Sequence, residues 1–231
     1  MTQSKLTPNM AYARLASAEQ IERAAKALEA NGIRAIIAAN GADATAKVFE
    51  TIPAGAEVFT ATSRTLDSLG IPAGVDQRYN SVRVKLATLN PQTERREMIK
   101  LGAVPEYIVG SVHAVTEDGK VVIASNTGSQ LAGYAASAAH VVWVVGAQKI
   151  VPNLDEALRH VLEAALRLEH VDMGGVYLAG DDGSLALAAD VGMPPGSTDA
   201  VGIYAPDAPE AQLVHRGQPC FAGYTGHQLP G

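Results

Sequence analysis

The sequence predicts an α/β protein built on a mostly parallel open sheet, with a small β-rich appendage at its C-terminal end. Short apolar runs at 33–39, 57–60, 107–110 and 141–145 alternate with segments of helical periodicity. That alternation is the pattern of strands covered by helices on both faces. The chain has 231 residues, is 47% hydrophobic and is 18% charged, so it can bury a core and is not a disordered polymer. Past about residue 170 the alternation gives way to Gly, Pro, Asp and Ala with few basic residues. We therefore expect an α/β domain over residues 1–172 and a second piece over 173–231, with the boundary near Asp172.

The elements follow in order. Ser17 opens a helix: Gln20 stands three residues on, as a capping box requires, and Ile21, Ala24, Ala25 and Leu28 recur at helical spacing. Asn31-Gly32 stops it. Residues 33–39 read as a buried strand. Asn40-Gly41 leads into a second helix that ends near Pro53. A short strand at 57–60 and a helix at 63–69, closed by Gly70, come next. Residues 72–90 read as irregular and 93–101 as a helix. A strand at 107–110 precedes a hairpin turning at Asp118-Gly119, because Gly accepts positive φ and Asp tolerates it. The apolar run 121–124 leaves that turn, and a polar loop, 125–129, opens into an alanine-rich helix over 131–139. Residues 141–145 read as a buried strand and 154–168 as an amphipathic helix. In the second piece, 175–178 and 184–189 flank a turn at 180–183 and read as a second hairpin, while 194–196 and 205–209 read as loops.

Composition excludes several functions. The formal net charge of -6 speaks against general nucleic-acid binding. One cysteine, Cys220, allows no disulfide within the chain and no cysteine-ligated zinc or iron–sulfur site without other chains. Residues 1–10 lack an apolar centre, and the most apolar window is too short to span a bilayer. We expect a cytoplasmic protein with no membrane contact, no metal site and no cofactor.

Ser125, Asn126, Thr127, Gly128 and Ser129 form the first candidate site. A loop that leaves a strand and enters a helix gathers unpaired backbone N–H groups and the positive end of the helix dipole, which suits a carboxylate or phosphate. The same residue types are favoured N-caps, so a plain helix start accounts for them equally well. Gln130 would orient a bound anion. Gln148 and Lys149 stand just past the C-terminal edge of the 141–145 run, where open α/β sheets bind ligands, although an ordinary loop lysine is the alternative. Glu117 is the candidate reactive carboxylate or a residue of the cleft mouth. His113 lies four residues before it, roughly 13 Å away along an extended strand, so the two cannot bond directly. His140, Arg95 and Arg96 read as structural or solvated, and Cys220 has no assigned role.

Three stretches resemble the LUD domain, the family of lactate-utilisation protein C: GSVHAVTEDG at 110–119, ASNTGSQL at 124–131 and VWVVGAQKIVPNLDEA at 142–157. TSRTL at 62–66 and Gly70-Ile71 fit as well, and the likeness runs from about residue 10 to about 170. It implies the fold shared by ribose-5-phosphate isomerase, glucosamine-phosphate deaminase and the CoA transferases. It also implies a part in oxidising lactate to pyruvate beside iron–sulfur subunits, without by itself making this chain an enzyme. After Glu169 the chain departs from the family pattern. VDMGGVYL at 171–178, DGSLAL at 182–187, GMPP at 192–195 and HRGQP at 215–219 are similar to the opening of a GAF domain, too short here to complete one. Two other functions stay open. One is an isomerase or transferase acting on a phosphorylated or CoA-linked substrate, with Glu117 reactive. The other is a regulatory fusion whose GAF-like piece senses a small ligand.

Overall fold

A computed structural model describes residues 13–125, 128–165, 174–193 and 201–215. Its contacts divide the chain into two compact units, Met1–Val161 and Leu162–Gly231.

The first unit opens with α1 (Ala18–Ala30), whose start is the capping box that the sequence predicts. The Ser17 side chain accepts from the Gln20 amide, and the Gln20 side chain accepts from the Ser17 amide. Gly32 takes a φ of 78° just past its end. Helix α2 (Gly41–Thr51) is capped by Asn40, whose side chain accepts from the Asp43 amide. Strand β1 (Glu57–Thr60), α3 (Arg64–Ser68), α4 (Ile71–Arg78), β2 (Asn80–Ser81), α5 (Val82–Ala87), α6 (Arg95–Ala103) and β3 (Tyr107–Gly110) follow. Then come β4 (Ala114–Thr116), β5 (Val121–Val122), β6 (His140–Trp143), β7 (Ile150–Val151) and α7 (Leu154–Ala165), in which the division between the units falls.

The main sheet has the order β2-β1-β3-β6, and every pairing in it is parallel. Alternation along its strands sends side chains to two cores, as a sheet covered on both faces requires. Val58, Tyr107 and Val109 pack with Val48 of α2, Ile52 just past its end, Leu66 of α3 and Ile71 and Val75 of α4. Phe59 and Ile108 pack on the other face with Val82 of α5, Tyr134 and Trp143. A smaller mixed sheet, β5-β4-β7, continues from the end of β3. In it β4 runs antiparallel to β5 across the Asp118-Gly119 turn and parallel to β7.

Several elements differ from the sequence reading. Residues 33–39 form no strand. Periodicity alone cannot tell a buried strand from an apolar surface segment. Here β1 already has β2 and β3 on its two sides, and Ile36 and Ile37 are 47% and 52% exposed. Residues 72–90 are not irregular but carry α4, β2 and α5. Pro72 sits in the first turn of α4, where its missing N–H has no intrahelical partner to lose. Gly74 is needed because a Cβ there would lie 2.5 Å from Phe49. The helix expected over 131–139 is mostly a π-helical turn, Gly133–Ser137. Gly133 lies against Ile108 in that wider turn, and Tyr134 reaches the end of β3. The 141–145 run gives a shorter strand, β6, that is only half-buried. The 121–124 run contributes only β5, and the 93–101 helix lies slightly later, as α6.

In the second unit β8 (Gly174–Ala179) and β9 (Leu185–Val191) form the expected hairpin, closed by Gly183 at φ 85°. Strand β10 (Ile203–Tyr204) adds to β9 and makes an antiparallel three-stranded sheet, and α8 (Pro209–His215) follows. The Pro-rich segment 194–196 and Cys220 lie outside the described residues.

Candidate functional site

Strands β3 and β6 end side by side, with Gly110 in register with Trp143 and the Val144 amide bonded to the Gly110 carbonyl at 2.8 Å. This C-terminal edge is where an open parallel sheet offers space for ligands. Gly110 is fixed there by Tyr134: a Cβ on it would lie 1.6 Å from the tyrosine hydroxyl. That hydroxyl donates to the Ser111 carbonyl at 3.4 Å.

After β6 a short 3-10 turn, Ala147–Lys149, carries the chain back across the end of β3. Lys149 is half-buried there. Its ammonium donates to Ser111 Oγ at 2.9 Å and to the Val112 carbonyl at 2.8 Å. Among the described residues no carboxylate forms an ion pair with it. Burial lowers its pKa below the ordinary lysine value. Gln148 folds back over Gly146, where a Cβ would lie 2.4 Å from its side-chain oxygen.

His113 sits at the entrance of β4. Its Nδ1 accepts from the Ala124 amide at 3.2 Å, while its own amide donates to the Val122 carbonyl at 3.0 Å. Burial lowers its pKa first, and the nearby charge of Lys149 lowers it further. The polar loop starts at the next residue. Ser125 Oγ accepts from the Gly128 amide at 2.9 Å and donates to Gln130 Oε1 at 2.9 Å. Ser129 Oγ reaches the same oxygen at 3.4 Å. Gly128, at φ 69°, turns the chain in the left-handed region. The Gly128 amide is thus already satisfied within the loop, and an anion taking it must replace the Ser125 hydroxyl. Asn126 and Thr127 lie outside the described residues.

Glu117 stands apart from this group. Its two carboxylate oxygens are taken by α1: Gln20 Nε2 donates to one at 2.6 Å and Arg23 Nε to the other at 2.6 Å. Arg23 first and Gln20 second hold its pKa below the ordinary carboxylate value. Its side chain is 17% exposed, so the pair is largely covered although the Arg23 end is open to solvent.

The structure thus joins Lys149, Ser111, His113 and the start of the 125–130 loop, and ties Glu117 to a helix instead. Ser111 and Tyr134 escaped the sequence reading. A Ser after a strand glycine is unremarkable, and Tyr134 lies 23 residues downstream. Arg83 escaped as well. Over the end of β1, its Nε donates to the Thr60 carbonyl at 2.7 Å and its Nη2 to Thr62 Oγ1 at 2.8 Å. The guanidinium lies 5.0 Å from the Phe59 ring centre. The polar motif at 62–66 was visible in the sequence, but its partner on α5 was not.

Two shallow concavities run along α2, one lined by Arg34, Ile36, Lys47, Glu50 and Thr51, the other including Ala42, Phe49 and Arg78. Neither contains a residue of the strand-end group. Among the described residues there is no cluster of three or more His, Cys, Asp or Glu arranged to hold a metal, and no helix long and apolar enough to cross a membrane.

These features define an open-sheet α/β protein whose polar and cationic side chains gather at the C-terminal ends of its central strands. The LUD domain model matches residues 21–171, more than half of the chain, and the chain belongs to the LUD domain family. No curated protein and no solved structure matches it.

Proposed function

We propose that this chain supports the oxidation of lactate to pyruvate by holding a small carboxylate at the ends of β3 and β6. The observation that carries this reading is Lys149: a half-buried ammonium at the strand ends, held by neutral oxygens and lacking a carboxylate partner among the described residues. A charge in that position gains most from an anionic ligand. We assign the further contacts to the 125–130 loop, where the incoming carboxylate replaces the Ser125 hydroxyl at the Gly128 amide, and to Gln148, next to Lys149 in the turn after β6. Family membership supports the lactate context. The electron transfer falls to iron–sulfur partner subunits, because a chain with one cysteine cannot ligate such a cluster alone. We place the whole role in the cytoplasm.

Glu117 has no part in this reading. A carboxylate held by both Arg23 and Gln20 is poorly disposed to act as a nucleophile, which weighs against the isomerase or transferase alternative. The test is Lys149→Met in the full chain. We expect loss of lactate-dependent growth and at least about tenfold weaker pyruvate binding, since a hydrogen bond to a charged group contributes about 1.5–3 kcal/mol. Unchanged growth and binding would overturn the proposal.

A further inference from the structure

His113 cannot reach Glu117, which is taken up by Arg23 and Gln20, and its geometry gives it another task. The Nδ1 atom accepts from the Ala124 amide, so the neutral ring carries its proton on Nε2. Among the described residues no group bonds to that Nε2–H. Ala124 is the residue from which the polar loop departs. The ring therefore clasps the loop with one nitrogen and has a donor to spare on the other. Lys149, in the turn after β6, is the charged group that acts on the ring. The nearby hairpin contributes Val122 of β5 and Ala124 just past it, which carry no charge. Glu117, at the far end of β4, is taken up by Arg23 and Gln20.

We infer that His113 is a positioning residue of the anion site: as a neutral ring it anchors the start of the 125–130 loop through Nδ1 and donates Nε2–H to the bound carboxylate beside Lys149. The inference rests on the proposed anion site and adds a sign that simple electrostatics does not supply. Protonating the ring puts a hydrogen on Nδ1, facing the Ala124 N–H. Two donors then oppose each other and the clasp opens. Anion binding weakens on acidification, although the site gains positive charge. Burial and Lys149 both resist that protonation, which keeps the neutral ring in place at physiological pH.

The test uses the full-length chain and pyruvate, whose own charge is constant between about pH 5 and 8, the range in which histidine titrates. Nitrogen-15 spectra of the unliganded protein report the tautomer directly. We expect Nε2–H for His113, and the Nδ1–H form would overturn the inference. Calorimetric titration should show pyruvate affinity falling about tenfold as His113 is protonated over about one pH unit. Affinity that rises toward acid would mean plain attraction by an imidazolium and would also overturn it. His113→Gln offers an amide donor near the Nε2 position but no acceptor at the Nδ1 position, and it has no proton to gain. It should flatten the pH profile and bind at every pH about as weakly as the acidified wild type; wild-type affinity at neutral pH would show that the clasp plays no part and would overturn the inference. His113→Asn keeps an acceptor for the Ala124 amide without the outer donor, and it should bind weakly at every pH. Should His113→Asn bind like the wild type, the donor role is lost and the anion site survives. Should the wild type bind no pyruvate at any pH, or Lys149→Met bind it equally well, the anion site itself is overturned.

Discussion

The two charged side chains that the sequence singles out lie at opposite ends of β4, Glu117 just after it and Lys149 in the turn that leads into its neighbour β7, and the fold treats them in opposite ways. At the far end Glu117 meets Arg23 and Gln20 of α1, so its charge is answered within the protein. At the near end Lys149 comes over Ser111 and Val112 beside His113, and among the described residues only neutral oxygens receive it. The first arrangement ties the hairpin to a helix. The second gives the positive charge no carboxylate among the described residues, at the kind of sheet edge where open α/β proteins commonly take ligands. Local charge did not distinguish the two residues, because the difference lies in which element packs opposite each one.

Substitutions can test each end. The largest effect is expected from Gly110→Val, which drives a side chain into Tyr134 and displaces the seat of Ser111. Overpacking there should cost about 3 kcal/mol in urea unfolding and abolish pyruvate binding as well. Next in size, Lys149→Met should weaken pyruvate binding about tenfold or more by calorimetry, whereas Glu117→Gln should leave binding unchanged. Equal losses in the two variants would erase the contrast between the ends.

The pH dependence of stability supplies a subtler comparison. The folded pKa of Glu117 is lowered, so its contribution is present above the ordinary carboxylate value and is lost as pH falls through the lowered one. The advantage of the wild type over Glu117→Gln in thermal unfolding should therefore shrink in acid. Lys149 is lowered too, so the same rule operates in the alkaline range: the wild type should gain on Lys149→Met as pH rises from the lowered value to that of an ordinary lysine. The smallest effect is expected from Ser17→Ala. It removes the helix cap at a cost of about 1 kcal/mol and loosens Gln20, which serves both the cap and Glu117.

Much of the scaffold was legible in the chain. The capping box at Ser17, the turn at Asp118-Gly119, the strands at 57–60 and 107–110 and the hairpin around Gly183 are short-range features, each set by a few neighbouring residues. Their outcome needs no knowledge of distant segments. The failures were equally specific. The apolar run 33–39 has the composition of a strand, but β1 has neighbours on both sides without it. Pro72 and Gly74 look like helix breakers, yet one stands in a first turn and the other accommodates Phe49. Of the side chains gathered at the strand ends, Lys149 was singled out by its place after a strand, whereas Ser111 and Tyr134 carried no local signal.

Backbone conformations and helix caps follow from the order of residues in the chain, because a few dihedral angles and near-neighbour hydrogen bonds decide them. Which charges are neutralised follows from packing. Glu117 was drawn to Arg23 across 94 positions of sequence, and Lys149 was carried to Ser111 across 38. Only the closing of the sheet, which sets β4 between β5 and β7 and lays α1 near its far end, separated the carboxylate that is paired with an arginine from the ammonium that rests on neutral oxygens.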